Sequence, residues 1–183
     1  MINLEKGQKV AYTGPTKFRV GLGWDVTNNG QDFDLDVCAF IMDGMNKLIS
    51  DNHLVFYNNK TAPNESLVHS GDNLTGNGEG DDESINVDLL KLEPTVQKIM
   101  FIVSIHDAVN RRQNFGQVRN AYIRVFNPDT NVEELKFDLT EDYSVATGIK
   151  VAAFYLKDGL WKFEAIGQAE KKVLGDYVTE HQR

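Results

Sequence analysis

Hydrophobic residues in this chain tend to recur at every second position, which is the pattern of half-buried β-strands. Residues 18–24 are the clearest case, with apolar side chains at Phe18, Val20, Leu22 and Trp24. Residues 99–103 are apolar throughout, as expected of a central strand covered on both faces. Further candidate strands are residues 35–42, 53–57, 66–69, 84–89, 98–106, 121–126, 133–139, 149–156 and 160–166.

Many short strands with no long helix between them indicate an all-β fold, an antiparallel β-sandwich. Lys157-Asp158-Gly159 predicts a tight hairpin in which Gly159 takes a positive φ angle. Beyond Gly167 the spacing becomes helical, with apolar residues at Val173, Leu174, Tyr177 and Val178. We therefore expect one sandwich domain over residues 1–167 and a short C-terminal helical tail over residues 168–183.

The composition is that of a chain with a single core. Its 183 residues suit one domain, and no stretch approaches the roughly 20 apolar residues of a membrane span. The N-terminus lacks the basic and apolar regions of a secretion signal. The single cysteine, Cys38, lies in an apolar run and fits a buried thiol. We expect a cytoplasmic protein that is not transmembrane.

The net charge of −8 is concentrated in two windows. Residues 20–46 contain five Asp, and residues 61–90 contain seven Asp or Glu, with no Lys or Arg in either window. Such surfaces do not suit nucleic acid, because phosphate contacts require Lys and Arg. They predict a cation as the ligand instead.

The chemistry of these windows favours calcium. Residues 71–83 combine four Gly, five carboxylates and two Asn, while residues 32–36 place Asp at every second position. Calcium takes six to eight oxygen ligands, and glycines allow the backbone to bring them together. The 32–36 run is not an EF-hand, because Val37 stands where that loop needs Gly. A merely solvated acidic loop remains the alternative, magnesium is less suited, and zinc lacks clustered His and Cys.

An enzyme is the competing class of function. His106 and Asp107 could form an acid/base pair beside Arg111 and Arg112, which would make the chain a calcium-dependent hydrolase. Neighbours along a strand point to opposite faces, however, and no nucleophile elbow, phosphate loop or zinc motif occurs. We therefore expect a non-enzymatic protein without catalytic residues.

Eight motifs, in this order, resemble the TerD-type family of tellurium-resistance and general stress proteins. They are Gly-Leu-Gly-Trp-Asp (21–25), Phe-Asp-Leu-Asp (33–36), Phe-Tyr-Asn-Asn (56–59), His-Ser-Gly-Asp-Asn (69–73), Gly-Asp-Asp-Glu (80–83), Ile-His-Asp-Ala (105–108), Phe-Gly-Gln-Val (115–118) and Asp-Leu-Thr-Glu-Asp (138–142). The resemblance covers residues 21–167. It implies a calcium-binding β-sandwich that takes part in the stress response.

By position, the resemblance implies two calcium ions and a set of metal ligands. Those ligands are Asp25, Asp34, Asp36, Asp72, Asn73, Glu79, Asp81, Asp82 and Glu83, with carbonyls of residues 75–78. This sequence departs from the usual loop at Asn77 and Glu79. We also expect a scaffold that associates with related stress proteins or membrane-associated partners. A calcium-dependent membrane or protein adaptor would share the same metal site.

Overall fold

The computed structural model describes residues 2–25, 33–71, 80–139 and 145–183. Within these ranges two six-stranded sheets face each other, which confirms the predicted β-sandwich. The strands are β1 (Ile2–Asn3), β2 (Lys9–Ala11), β3 (Lys17–Asp25), β4 (Leu35–Met42), β5 (Leu54–Val55), β6 (Leu67–His69), β7 (Glu83–Asp88), β8 (Lys98–Ile105), β9 (Arg119–Phe126), β10 (Glu133–Asp138), β11 (Gly148–Lys157) and β12 (Leu160–Glu170). The α-helices are α1 (Ala108–Arg111) and α2 (Leu174–His181).

The two sheets differ in their strand pairing. Sheet A has the order β1-β10-β9-β3-β7-β6, and sheet B has the order β2-β12-β11-β8-β4-β5. Sheet B is antiparallel throughout, whereas β1 runs parallel to β10 at the edge of sheet A. Sheet A is therefore mixed at this edge, while its other described strand pairs are antiparallel, as predicted for the sandwich.

The core lies between the two sheets and contains the inward-facing apolar side chains of their strands. Phe18 of β3 stacks on Phe154 of β11 with ring centroids 4.6 Å apart, which joins the two sheets. Tyr12 meets the same Phe154 ring edge-on at 4.9 Å. The alternation predicted for residues 18–24 is thus the inward face of β3.

A second apolar layer lies outside sheet B, beneath helix α2. The Tyr177 ring is fully buried there, and Gly148 of β11 leaves room for it. Lys150 and Lys172 flank the helix, and each places its Nζ 2.6 Å from a carboxylate oxygen of Glu180. This layer covers β8 from outside, which confirms the prediction that residues 99–103 are buried on both faces.

Some predicted boundaries were wrong. The C-terminal helix begins at Leu174 rather than at residue 168, because residues 168–170 stay paired with β11 and extend β12. The strand predicted at residues 53–57 is only Leu54–Val55, and a short 3₁₀ turn precedes it. Within the described ranges, no helix has both the length and the apolar character needed to cross a bilayer.

Two glycines should respond oppositely to the same substitution. Gly159 forms the β11–β12 hairpin at φ +74°, so Gly159→Ala should lower the free energy of unfolding by about 1 kcal/mol. Gly175 lies in α2, where an added Cβ atom would meet nothing within 4 Å. Gly175→Ala should therefore raise the free energy of unfolding by about 0.5 kcal/mol. Urea unfolding measures both changes. Equal effects of the two substitutions would contradict this assignment.

Candidate metal centre

Acidic residues collect at the end of the sandwich where β3 finishes and where β4 and β7 begin. Six of the predicted ligands lie in the described residues. They are Asp25 at the end of β3, Asp34 and Asp36 at the start of β4, Asp81 and Asp82 just before β7, and Glu83 as its first residue. The predicted ligands Asp72, Asn73 and Glu79, and the carbonyls of residues 75–78, lie outside the described residues.

Glu83 lies between the two sheets and is 1% exposed. Its Oε2 accepts a hydrogen bond of 2.8 Å from the Val37 N–H of β4. His69 of β6 places its Nε2 3.2 Å from the Val37 carbonyl and 3.7 Å from Glu83 Oε2. β5 pairs with β4 at Ala39 and Phe40. At Val37 the side chains of Glu83 and His69 contact the backbone N–H and carbonyl in place of a strand, and so connect the two sheets.

Asp34 and Asp36 are buried at the start of β4, with 4% and 5% exposure. The His106 N–H donates to the Asp34 carbonyl at 2.8 Å, and His106 Nδ1 lies 3.5 Å from Asp36 Oδ2. Asp34 immediately precedes β4 and Asp36 is its second residue, so the expectation that both lie on one side of the strand stays a prediction. Two carboxylates are held in a poorly solvated position.

A second acidic group surrounds the end of β3. The Trp24 N–H donates to Asp82 Oδ2 at 3.0 Å, and the Asn120 amide donates to Asp25. Burial raises the pKa of Asp82, the Trp24 hydrogen bond lowers it, and the charges of Asp81 and Asp25 raise it further. Negative charge is thus concentrated around Asp82, which would favour a bound cation.

Asp81 lies on the outer face of sheet A and contacts a cation of the protein itself. Arg124 of β9 donates from Nε to Asp81 Oδ1 at 2.8 Å and from Nη2 to Oδ2 at 3.0 Å. The Tyr122 hydroxyl lies 3.1 Å from Asp81 Oδ1, and burial together with Asp81 raises its pKa to about 12. Both carboxylate oxygens are therefore engaged in an ion pair.

The donor chemistry of this end fits calcium, since it consists of carboxylate oxygens. The described residues do not complete a site, because no three His, Cys, Asp or Glu among them are close enough to hold an ion together. Asp36, Glu83 and Asp81 belong to different faces of the sandwich.

The residues considered for catalysis have separate partners. His106 faces Asp36, whereas Asp107 Oδ1 accepts a hydrogen bond of 2.6 Å from the Asn110 amide. Strand β8 ends at Ile105, and Asp107 adopts φ +50° just before α1, so His106 and Asp107 are not neighbours within a strand. In the described structure, these contacts of His106 and Asp107 are therefore with different residues.

Three residues at this end were not singled out from the sequence: His69, Tyr122 and Arg124. The alternation of residues 121–126 did place Tyr122 and Arg124 on one face of a strand. Their contacts with Asp81 depend on the register of β3 with β9, which pairs Gly21 with Arg124 and Gly23 with Tyr122. Local sequence carries no signal for that register.

Comparison with known proteins identifies the family. The TerD domain matches residues 1–181. General stress protein 16U of Bacillus subtilis is 47% identical over 186 residues, covering 98% of this chain and 96% of its own length. Tellurium resistance protein TerD of Serratia marcescens is 45% identical over 172 residues, covering 91% of this chain and 90% of its own length.

A solved structure supports the fold. The crystal structure of a homologue of the telluride resistance protein TerD from Streptomyces coelicolor superimposes with a TM-score of 0.74 at 24% identity. That match covers 90% of this chain and 96% of the other chain. Family profile and relatives confirm the family resemblance predicted from the sequence, and the solved structure supports the same fold. The chain belongs to the TerD family, whose members include tellurium-resistance and general stress proteins.

Proposed function

We propose that this protein is a calcium-binding module of the stress response, which works by binding and not by catalysis. The observation that carries the proposal is the burial of Asp34, Asp36 and Glu83 at one end of the sandwich, each at most 5% exposed. Contacts of Asp36 and Glu83 include His106, His69 and the Val37 backbone N–H. A divalent cation would compensate this concentration of negative charge.

The energetic argument follows from electrostatics. Two carboxylates about 5 Å apart repel by roughly 3 kcal/mol at an effective dielectric constant near 20. Such a cost is a large part of a typical folding free energy of about 5–15 kcal/mol. Calcium bound between the acidic groups would turn repulsion into attraction. Asp34 and Asp36 form one acidic group and Asp25 and Asp82 the other, which supports two ions.

The chain's own residues have distinct roles in this proposal. Asp34 and Asp36 would supply carboxylate oxygens from β4, and Asp82 and Asp25 would supply them from the β3–β7 end. Glu83 links sheet A to sheet B by accepting the hydrogen bond from the Val37 N–H. Bound calcium would add a cross-link between the acidic windows and would stabilise the folded state.

The names of the relatives support the stress-response part of the proposal. They refer to tellurium resistance and general stress. We propose that this protein acts in the cytoplasm as a scaffold for related stress proteins or membrane-associated partners. Sedimentation with anionic liposomes, with and without calcium, tests the membrane partner. Calcium-dependent co-sedimentation would support it, and the same soluble fraction in both conditions would argue for protein partners.

Calorimetric titration of the chelator-stripped protein with calcium, with magnesium as control, tests the calcium function. We expect binding with a preference for calcium and a higher melting temperature. Calcium at about 1,000 times its dissociation constant should add about 4 kcal/mol if it binds only the folded state. Absence of both heat and stabilisation would refute the proposal and leave the acidic segments as solvated surface.

A further inference from the structure

We propose that Arg124 positions the acidic segment Gly80–Asp81–Asp82–Glu83, and that Asp81 is its anchor rather than a calcium ligand. The calcium part of this inference rests on the proposed function. It assigns different roles to carboxylates that are adjacent in the sequence. Asp82 accepts from the Trp24 N–H and Glu83 from the Val37 N–H at the acidic end, while Asp81 contacts Arg124 on the outer face of sheet A.

The geometry of the ion pair supports the anchor role. Arg124 donates to both oxygens of Asp81, at 2.8 and 3.0 Å, in the planar two-bond arrangement that only Arg forms with a carboxylate. The Tyr122 hydroxyl lies 3.1 Å from both Asp81 Oδ1 and the Gly80 carbonyl. Side chain and backbone of the segment are therefore held together. A calcium ion on Asp81 would have to approach the positive guanidinium.

The surface beneath the pair is shaped to receive it. A Cβ atom at Gly21 would overlap the Asp81 carboxylate, and a Cβ atom at Gly23 would overlap the Tyr122 ring. These glycines lie on the outer face of β3, so Asp81 and Tyr122 rest directly against its backbone. Any larger residue at either glycine would displace the segment.

Arg124 is itself fixed on both sides. Its guanidinium lies 4.5 Å from the centre of the Phe126 ring, and its Nη1 lies 3.4 Å from Glu133 Oε2. The side chain therefore has little freedom left to lose when it binds Asp81, which strengthens the anchor. One residue further along the chain, the Asp82 N–H donates to the Leu22 carbonyl at 2.8 Å, and β7 begins at the next residue, Glu83.

Calcium titration of Arg124→Lys, Asp81→Asn and the double variant tests the inference. Lysine keeps the charge but loses the two-bond geometry. We expect each single variant to weaken calcium binding about fivefold with unchanged stoichiometry, and the double variant to be no weaker than either, because both lose the same contact. Arg19→Lys is the matched control: Arg19 lies on the same face, binds Asn86 and should leave calcium affinity unchanged.

Two results would overturn the anchor role. If Asp81 were a ligand, Asp81→Asn would reduce the number of ions bound or weaken one site about a hundredfold, while Arg124→Lys would leave binding unchanged or tighten it. Amide exchange of Asp82 in the calcium-free protein provides a readout independent of metal. It should become faster in Arg124→Lys and Asp81→Asn but not in Arg19→Lys, and unchanged exchange in all three would refute the anchor. Failure of the wild type to bind calcium would refute the calcium function and the part of this inference that rests on it.

Discussion

Replacing Glu83 with alanine should lower the free energy of unfolding of the calcium-free protein by about 3 kcal/mol. The Glu83 carboxylate accepts the Val37 N–H across the sandwich and lies beside His69, and all these groups are buried. Alanine would leave the N–H without this acceptor and would also leave a cavity between the sheets. Both effects act on the folded state without any metal.

The measurement is urea unfolding in the presence of a chelator. Glu83→Gln should cost only about 1 kcal/mol, because its amide oxygen can still accept from Val37. Glu5→Ala, which changes an exposed glutamate near the N-terminus, should stay within about 0.5 kcal/mol of the wild type. If Glu83→Ala were as stable as Glu5→Ala, the structural role of Glu83 would be excluded.

The fold was predictable where the information is local. Alternation over residues 18–24 identified β3, because a nine-residue strand with one apolar face repeats its signal several times. β1 and β2 were missed because two or three residues cannot show a period. The parallel pairing of β1 with β10 joins residues more than 130 positions apart, and no local pattern encodes it.

The site was predictable in composition but not in the roles of its members. Spacing and charge pointed to acidic residues that lie near the starts of β4 and β7, and their binding of calcium stays a prediction. They could not show that Asp81 binds Arg124, because that contact depends on the register of three strands. Nor could they show that Glu83 reaches Val37 in the other sheet. Sequence thus identifies the charged groups, and packing decides which of them are committed to protein partners.

The second large effect is expected at Asp34, a buried carboxylate that we propose binds calcium. Asp34→Asn should weaken calcium binding at least tenfold, because it removes one charged oxygen ligand from a buried position. In the calcium-free protein the same change should leave stability equal or higher, because it removes a buried negative charge next to Asp36. The variant should therefore be less stable than wild type only when calcium is present.

Melting curves with chelator and with saturating calcium measure this reversal, and titration calorimetry gives the affinity. A tenfold weaker dissociation constant should remove about 1.4 kcal/mol of calcium-linked stability at a fixed calcium concentration, so the two measurements check each other. Asp129→Asn is the control, since it removes the same charge from an exposed turn between β9 and β10. Equal calcium affinity of Asp34→Asn and Asp129→Asn would exclude Asp34 from the metal shell. A loss of stability in chelator as large as that in calcium would show that Asp34 serves the fold instead.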